Sequence, residues 1–439
     1  MRILFIENRY KTFFFEKIAI ELLKKDHEIF WLIQNKDFAP TMKKAKIFNI
    51  PYPKNNFVNR GEKQIEYIEE AIVSDRQVSF FKKKGIEYFY YYNSKIKEIL
   101  DEVKPNIVFG EATAFHELLT IGNCKEQNIL FLNPVTCRYP VGRFSFYKYD
   151  TLDPFSGSGE ILEREEAIEI IDVIVNKTIR PDYMKNIAKS KREKSLDKIK
   201  KIASYYKGDK YNIPNPFIKL NLEKEKKRNI EKWDLSSYSR VEKDSKFAIL
   251  YPLQMQPEAN LDVWGRKYKD QSKLIRSISE TIPDDAILFI KPNPKSNYEL
   301  NKDLLRVVSN CKNIRALHHS VSMEHAFNNS DLIITVTGTV AIESVLANKP
   351  VVTLVETINN EAKNCKFINS LEHLNEIIKR VRNNKFEEID LDEKIDFINK
   401  INKTSFKGLL TDPYTNVNVI SDRNTEKVIN AFEKVLSEI

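Results

Sequence analysis

The chain has 439 residues and a mass of 51.4 kDa, a length that predicts two or three domains. Its 71 Lys and Arg against 62 Asp and Glu give a formal net charge of +9. Residues 185–243 alone hold 18 basic and 8 acidic side chains, so the rest of the chain is close to neutral. This distribution argues against a broad basic face for nucleic acid, and the 42% of apolar residues excludes wholesale disorder.

The compartment is predicted from the N-terminus, the apolar runs and the cysteines. The opening MRILFIENRYKTFFF lacks a small-residue cleavage site, and no apolar run reaches the length of about 18 residues that a membrane span needs. The cysteines form no CxxC pair, so we expect free thiols in a reducing compartment. We therefore expect a cytoplasmic protein with four unpaired cysteines: Cys124, Cys137, Cys311 and Cys365.

The first 150 residues alternate between apolar strand patterns and helical patterns. RILFIE (2–7) and EIFWLIQ (28–34) are typical of buried parallel strands, and residues 12–25 between them have helical spacing. Much of 60–103 is predicted helical. Another strand, helix and strand follow at 105–111, 114–126 and 128–133. This alternation predicts an N-terminal α/β domain over residues 1–150.

The pattern changes after residue 150 and then returns to α/β. Helical runs at 160–177, 187–206 and 221–233, the last two separated by IPNPF, predict a helical, basic insert over 151–243. A second α/β domain is predicted over 244–410. The strands of this domain are expected at 247–252, 286–292, 313–317, 331–336 and 350–356, and its helices at 268–281, 298–309 and 341–348. A tail is predicted over 411–439, with a helix that packs back toward the N-terminal domain.

The fold class predicted from these patterns is α/β, with two Rossmann-like domains. Ligands of open α/β sheets bind beyond the carboxyl ends of the strands. Candidate functional residues are therefore sought where predicted strands end.

The segment DLIITVTGTVAIESVLANKPVVTLVE (331–356) holds the best local signal. A buried strand leads into a small-residue turn and then a helix, an arrangement in which free N–H groups and hydroxyls can bind an anion. Gly338 allows close approach of the backbone, Thr337 and Thr339 add donors, and Glu343 could accept hydrogen bonds from a ribose diol. An ordinary strand-to-helix turn capped by threonine is the alternative.

Two further loops follow predicted strands of the second domain. Gln256 and Glu258 lie in PLQMQPEAN (252–260), and Lys291, Asn293 and Pro294 lie in IKPNPKSN (290–297). Prolines stiffen both loops, which suits a positioned carboxylate or a lysine that meets a phosphate. Solvated connectors are the alternative for both.

In the N-terminal half, Glu111 ends a predicted strand and could serve as a general base or a nucleophile toward a sugar centre. Arg138 and Arg143 follow the next strand, and guanidinium forks suit an acidic sugar or a diphosphate. A carboxylate at a helix start and structural arginines are the alternatives. Surface or capping roles are expected for three histidines that form no metal pattern: His116, His318 and His319.

The ordered set YPLQMQPEAN, AILFIKPNP, NIRAL and DLIITVTGTVAIESVLANKPVV resembles the bacterial capsular polysaccharide biosynthesis family. That family includes β-Kdo glycosyltransferases and related transferases of nonulosonic acids. The resemblance covers residues 245–356 well and extends more weakly to FGEATAFHELL (109–119) and the 138–143 stretch. It implies a GT-B fold, in which two Rossmann-like domains face a central cleft.

The resemblance also implies a CMP-activated ulosonic acid donor and no metal or other cofactor. Carried over by position, Thr337, Gly338 and Thr339 would hold the CMP phosphate and Glu343 the ribose, with the Gln256–Glu258 loop near the donor. Relatives usually have His-Pro after the lysine-containing strand, where this chain has Asn293-Pro294. Asparagine carries no charge and shuttles no proton, which leaves the donor identity and any acid role at this position open.

The sequence therefore predicts a glycosyltransferase that moves Kdo or a nonulosonic acid from CMP to a capsule or lipopolysaccharide acceptor. A GT-B relative that uses another nucleotide sugar or a polyol-phosphate donor is one alternative, and a non-catalytic capsule-assembly scaffold is another. The expected partners are a nucleotide sugar and a glycan or glycolipid, without nucleic acid.

The basic insert has two interpretations. It is either a solvated, charged helical linker or a basic surface beside the active site. In the second case, residues 185–243 would contact the anionic inner membrane, where a lipid-linked acceptor lies, or would receive an anionic acceptor chain directly.

Overall fold

The computed structural model describes residues 1–53, 65–176, 191–243, 245–414 and 416–439, with the side chains of 191–194 outside the description. Parts of the predicted helices over 60–103 and 160–206, and of the basic insert, fall outside these residues. The chain divides into two compact units. Unit 1 comprises residues 1–167, 178–215 and 398–439, and unit 2 comprises residues 168–177 and 216–397.

Unit 1 is built on a seven-stranded sheet in the order β13-β6-β5-β4-β1-β2-β3. Strands β1 to β5 pair in parallel, whereas β6 pairs antiparallel with β5 and β13 pairs antiparallel with β6. The strands are β1 Arg2–Ile6, β2 Glu28–Ile33, β3 Lys46–Asn49, β4 Ile107–Phe109, β5 Leu130–Thr136, β6 Arg143–Lys148 and β13 Phe406–Lys407.

Helices pack against this sheet because its strands are almost continuously apolar and are buried on both faces. Phe5 of β1 stacks on Trp31 at a ring-centroid distance of 5.0 Å and contacts Phe432 of the C-terminal helix at 6.4 Å. The helices of unit 1 are α1 Thr12–Lys24, α2 Glu66–Ser74, α3 Arg76–Ser79, α4 Glu87–Val103, α5 Phe115–Glu126, α7 Lys191–Lys207 and α15 Asp422–Ser437. Two further helices, α6 Arg164–Val175 and α14 Leu391–Lys403, have residues in both units.

Unit 2 contains an entirely parallel sheet of six strands in the order β12-β11-β10-β7-β8-β9. The strands are β7 Phe247–Pro252, β8 Ala286–Lys291, β9 Ile314–Ala316, β10 Leu332–Thr335, β11 Val351–Thr353 and β12 Cys365–Phe367. The helices are α8 Pro216–Leu235, α9 Gln271–Thr281, α10 Lys302–Asn310, α11 Met323–Asn328, α12 Val340–Leu346 and α13 Leu374–Arg382.

These two α/β units, one with a mainly parallel sheet and one with an entirely parallel sheet, confirm the predicted fold class. Most predicted elements are present with ends shifted by a few residues, such as the strand expected at 105–111, which spans Ile107–Phe109. The predicted helical stretch 60–103 contains three separate helices in its described part. In the described parts of the chain, no helix is both long enough and apolar enough to cross a bilayer.

Candidate functional site

Four neighbouring strands of unit 2 end at the same edge of its sheet and deliver the predicted donor residues there. In the order β10, β7, β8 and β9, each strand is hydrogen-bonded to the next, and all run in the same direction. Pro252, the last residue of β7, is directly opposite Lys291, the last residue of β8. The loops that follow these strands therefore begin side by side. They contain every residue predicted for the donor except Lys291, which ends β8, and Glu343, which lies one turn into α12.

The turn between β10 and α12 leaves little room for a side chain at Gly338. The Gly338 N–H donates to Thr335 Oγ1 at 3.1 Å, and a Cβ at this position would lie only 2.6 Å from that oxygen. The Thr337 hydroxyl donates to the Asn260 carbonyl at 3.1 Å, which ties the turn to the loop after β7. Helix α12 is only seven residues long, so the N–H groups and hydroxyls of the turn matter more than the helix dipole.

The loop after β7 is held by buried side-chain amides. Gln256 is buried and donates to Asp262 Oδ1 at 2.9 Å and to a backbone carbonyl at 2.9 Å, while its own oxygen accepts from Gln271 at 3.0 Å. These bonds favour a positioning role for Gln256 over direct contact with a donor. Glu258 remains half-buried, and its carboxylate accepts from Asn260 Nδ2 at 3.0 Å. Burial raises the pKa of Asp262 to about 6.

A π-helical turn at Asn260–Trp264 follows this loop, and the sequence did not predict it. Such turns often occur at functional sites. A Cβ at Gly265, the next residue, would lie 2.7 Å from a methyl group of Val336, so this turn packs tightly on the end of β10. Trp264 Nε1 is buried and has no hydrogen-bond acceptor among the described residues.

Lys291 is a buried cation at the end of β8. Its side chain is 3% exposed, and Nζ donates to the carbonyls of Pro292 at 3.0 Å and His319 at 3.3 Å. Burial lowers the pKa of Lys291 to about 8, although the Asp234 carboxylate acts in the opposite direction. A buried cation whose pKa is shifted by desolvation beside a specific charge is typical of functional sites.

A hydrogen-bonded chain of side chains lies next to Lys291. His319 Nδ1 lies 2.7 Å from Asp234 Oδ1, and His319 Nε2 lies 3.1 Å from Ser296 Oγ, which also bonds the Asn293 carbonyl at 2.8 Å. Burial by itself would raise the pKa of Asp234, but hydrogen bonds and charge from His319 hold it below its ordinary value. Only a surface or capping role was predicted for His319, because its partner Asp234 lies on α8, 85 residues away in the chain.

The remaining donor residues lie around the same edge. Asn293 is half-buried and its Oδ1 accepts from the Lys295 N–H at 2.8 Å, so its amide shapes its own turn. Pro294 is exposed, while Thr339 and Glu343 are half-buried at the start of α12. These positions leave all four side chains partly accessible.

Glu111 lies in unit 1, just beyond the carboxyl end of β4. Its carboxylate is ion-paired with Lys11 and accepts from Asn8 Nδ2 at 2.9 Å. Asn8 follows the neighbouring strand β1, and its amide also donates to Glu117 at 2.8 Å. Burial raises the pKa of Glu117, and the Glu111 charge adds to that increase. Glu117 also accepts from the backbone of Ala114 at 2.8 Å, so it holds the turn that positions Glu111.

The two predicted arginines differ in their surroundings. Arg143 is buried at the start of β6, where it pairs with Glu160 at 2.9 Å and bonds the Ser405 hydroxyl at 2.8 Å and the Asn402 carbonyl at 2.9 Å. These bonds favour a structural role for Arg143 over the predicted contact with a sugar carboxylate or acceptor. Arg138 is half-buried in the segment between β5 and β6.

A large charged groove of unit 2 lies away from these residues. It has a volume of about 730 Å³ and lies at the opposite edge of the sheet, where β7, β10 and β11 begin. Its lining is charged and includes Lys246, Asp331, Lys349 and Arg382, but none of the predicted site residues.

Solved structures similar to this chain include glycosyltransferases and an epimerase. The KpsC β-Kdo 2,7 transferase of Thermosulfurimonas dismutans is 13% identical, with 79% of this chain and 90% of that chain covered and a TM-score of 0.35. A glycosyltransferase of Rickettsia africae is 13% identical, with 100% and 99% covered and a TM-score of 0.31. A putative UDP-N-acetylglucosamine 2-epimerase of Listeria monocytogenes is 13% identical, with 100% and 97% covered and a TM-score of 0.27. Likenesses of this size assign no activity to the chain.

Sequence comparison gives a narrower result. No curated protein matches the chain significantly. A family model described as "Capsule polysaccharide biosynthesis protein" matches residues 165–360, a little under half of the chain. This range holds the whole candidate donor site at the edge of the unit 2 sheet. Over residues 165–360 the match confirms the resemblance to the capsule polysaccharide biosynthesis family.

Proposed function

We propose that this chain is a glycosyltransferase of capsule polysaccharide biosynthesis that transfers an acidic ulosonic sugar, Kdo or a nonulosonic acid, from CMP to a surface-glycan acceptor. The observation that carries the proposal is the convergence of the loops after β10, β7 and β8 at one sheet edge, inside the family-matched range 165–360. The carboxyl edge of a parallel sheet is where α/β proteins bind nucleotides.

In this proposal the turn after β10 holds the phosphate of CMP. Gly338 admits the phosphate close to the backbone, and the hydroxyl of Thr339 donates to the phosphate. Thr337 holds the turn in place through its bond to the Asn260 carbonyl, and Glu343 accepts from the ribose. Lys291 supplies a positive charge to the phosphate or to the sugar carboxylate. Glu258, Asn293 and Pro294 shape the rest of the donor site, and Gln256 positions the loop that carries Glu258.

The transfer step follows from these groups. The acceptor hydroxyl attacks the anomeric carbon, the bond from that carbon to the phosphate oxygen breaks, and CMP leaves with both electrons of the bond. Glu111 takes the hydroxyl proton in this reaction, which inverts the anomeric centre. In a retaining reaction Glu111 itself first displaces CMP and forms a bond to the anomeric carbon; the acceptor hydroxyl then displaces Glu111 and passes its proton to the released CMP phosphate. Arg138 neutralises the sugar carboxylate, and no metal takes part.

Nucleotide preference is the first test. Thermal unfolding is measured with CMP, CDP, UDP and GDP, and CMP is expected to give the largest increase in Tm because binding to the folded state stabilises it. CMP-Kdo and CMP-nonulosonic acids are then tested for release of CMP that depends on an acceptor. Turnover of UDP- or GDP-sugars in place of CMP-sugars would contradict the donor assignment.

Variants test the donor residues and Glu111 separately. Thr337→Val is expected to weaken CMP binding, whereas Thr281→Val, at the end of α9, should leave it unchanged. Glu111→Gln is expected to abolish transfer and to leave CMP binding intact, with Glu98→Gln on the exposed face of α4 as its control. Full activity of Glu111→Gln would remove Glu111 from the mechanism.

The same assays separate the alternatives. Interconversion of a UDP-sugar without acceptor would indicate an epimerase, and a phosphate-containing polymer would indicate a polyol-phosphate transferase. A chain that responds to no nucleotide would fit a capsule-assembly scaffold. We also propose that residues 185–243 contact the anionic inner-membrane surface, where a lipid-linked acceptor would lie.

A further inference from the structure

Helix α7 is attached to unit 1 through its polar face. Asp197 accepts from the Tyr10 hydroxyl at 3.3 Å, and two turns further along Ser204 lies 3.4 Å from both Asn35 Nδ2 and Asp209 Oδ2. Asp197 and Ser204 are seven residues apart and therefore point in nearly the same direction. The side of α7 that meets the unit is thus formed by polar side chains.

The opposite side of α7 is apolar and exposed. At about 100° per residue, Ile199, Ile202 and Tyr206 lie on the side away from Asp197 and Ser204. Leu196 lies at the flank of that side, about 90° from its centre, so the four side chains form one group. Each of them is between 44% and 67% exposed. We call this set the α7 stripe: Leu196, Ile199, Ile202 and Tyr206. A surface helix normally buries its apolar face and exposes its polar one, so the orientation of α7 is the reverse of the usual one.

Lysines flank the α7 stripe on both sides. Lys198 borders one side, and Lys200 and Lys207 border the other; all three are exposed. Lys201 points toward the attached face, where it pairs with Asp197 at 2.6 Å. A stripe of leucine, isoleucine and tyrosine between rows of lysine is typical of helices that lie in the interface of an anionic membrane.

We propose that the α7 stripe inserts into the interfacial layer of an anionic membrane, with Lys198, Lys200 and Lys207 on the lipid headgroups. This inference rests on the membrane contact proposed above and assigns it to one face of one helix. Charge complementarity selects lipid over a second copy of the chain, because stripe-to-stripe pairing would bring the two lysine rows close to each other. Insertion into a membrane also explains why these apolar side chains are exposed, whereas a solvated linker would have no use for them.

Co-sedimentation with vesicles tests the proposal on the full chain. Vesicles of phosphatidylcholine and phosphatidylglycerol are compared with vesicles of phosphatidylcholine alone, and binding is expected only to the first. The double variant Leu196→Ser/Ile199→Ser is expected to lose about tenfold or more in affinity, since it removes buried hydrocarbon. Ile161→Ser, an equally exposed isoleucine elsewhere in unit 1, is the matched control and should bind normally.

The charge component is tested in the same assay. Lys198→Glu/Lys200→Glu is expected to weaken binding by about fivefold or more per lysine and to make the remaining binding less sensitive to salt. Lys385→Glu, an exposed lysine of unit 2, is the control for net charge and should have little effect. Circular dichroism establishes that each variant is folded before its binding is compared.

Three outcomes would overturn the inference. These are equal binding to neutral vesicles, unchanged binding of the Leu196→Ser/Ile199→Ser variant, and concentration-dependent dimers that this variant abolishes. CMP release with a water-soluble acceptor and no vesicles is measured in parallel. If that activity persists while vesicle binding fails, the membrane inference is wrong and the proposed function stands. If the protein binds vesicles but releases no CMP, the proposed function is wrong and the membrane inference stands.

Discussion

Replacing Lys291 with methionine is expected to stabilise the protein, because it removes a buried charge and keeps a long side chain. Among the described residues, Lys291 Nζ donates only to the carbonyls of Pro292 and His319. Burial lowers the pKa of Lys291 from 10.5 to about 8, which corresponds to about 3 kcal/mol against the charged form. Loss of the two hydrogen bonds offsets part of this, so we expect a net gain of about 1–2 kcal/mol at neutral pH.

The effect has a defined pH dependence. Because the pKa of Lys291 is lower in the folded state, the unfolded state binds more protons between about pH 8 and pH 10.5. The destabilisation caused by burying the charged Lys291 is therefore fully present below pH 8 and is lost as the pH rises through this range. The advantage of Lys291→Met over the wild type is expected to shrink accordingly, as measured by urea unfolding followed by circular dichroism from about pH 7 to about pH 10.

A nearby lysine provides the control. Lys295 is exposed in the loop after β8, and Lys295→Met is expected to change stability by less than about 0.5 kcal/mol at every pH. A Lys291→Met protein that is less stable than the wild type at pH 7, or whose difference does not vary with pH, would refute the reasoning. If Lys291 contacts the donor, the stabilised variant should also bind CMP more weakly, because removing a destabilising charge from a functional site often reduces function.

Three further changes have expected outcomes. Gly338→Ala should lower the free energy of unfolding, measured with urea, by about 1–3 kcal/mol, because its Cβ would lie 2.6 Å from Thr335 Oγ1. The loss should be much smaller in a Thr335→Ala background, and equal losses in both backgrounds would point to another cause. Arg143→Ala should lower the stability by about 2–4 kcal/mol in thermal unfolding because its buried acceptors lose their donor, and a wild-type Tm would contradict its structural role. His319→Ala should raise the pKa of Asp234 toward its ordinary value in an NMR titration, whereas an unchanged pKa would show that other groups lower it.

Local patterns in the sequence determined the class of the fold and much of the candidate donor site. Runs such as FAILYP (247–252) are apolar at nearly every position, and this is sufficient to predict strands buried on both faces. In a parallel sheet all carboxyl ends meet at one edge, so polar residues that follow strands in sequence, such as Glu258, Lys291 and Thr337, collect in one place. Gly338 was also predictable, because the turn that needs it is formed by adjacent residues.

Only the tertiary structure decided which polar residues have partners and which remain available. Arg143 matched a site pattern in the sequence, but Asn402 and Ser405, from the far end of the chain, occupy its hydrogen-bonding groups. His319 acquires Asp234 from 85 residues away, and the sequence shows that α7 has two faces without showing which one is exposed. The physical reason is the same in each case: hydrophobic periodicity is a property of neighbouring residues, whereas burial and hydrogen bonding depend on contacts between residues far apart in the chain.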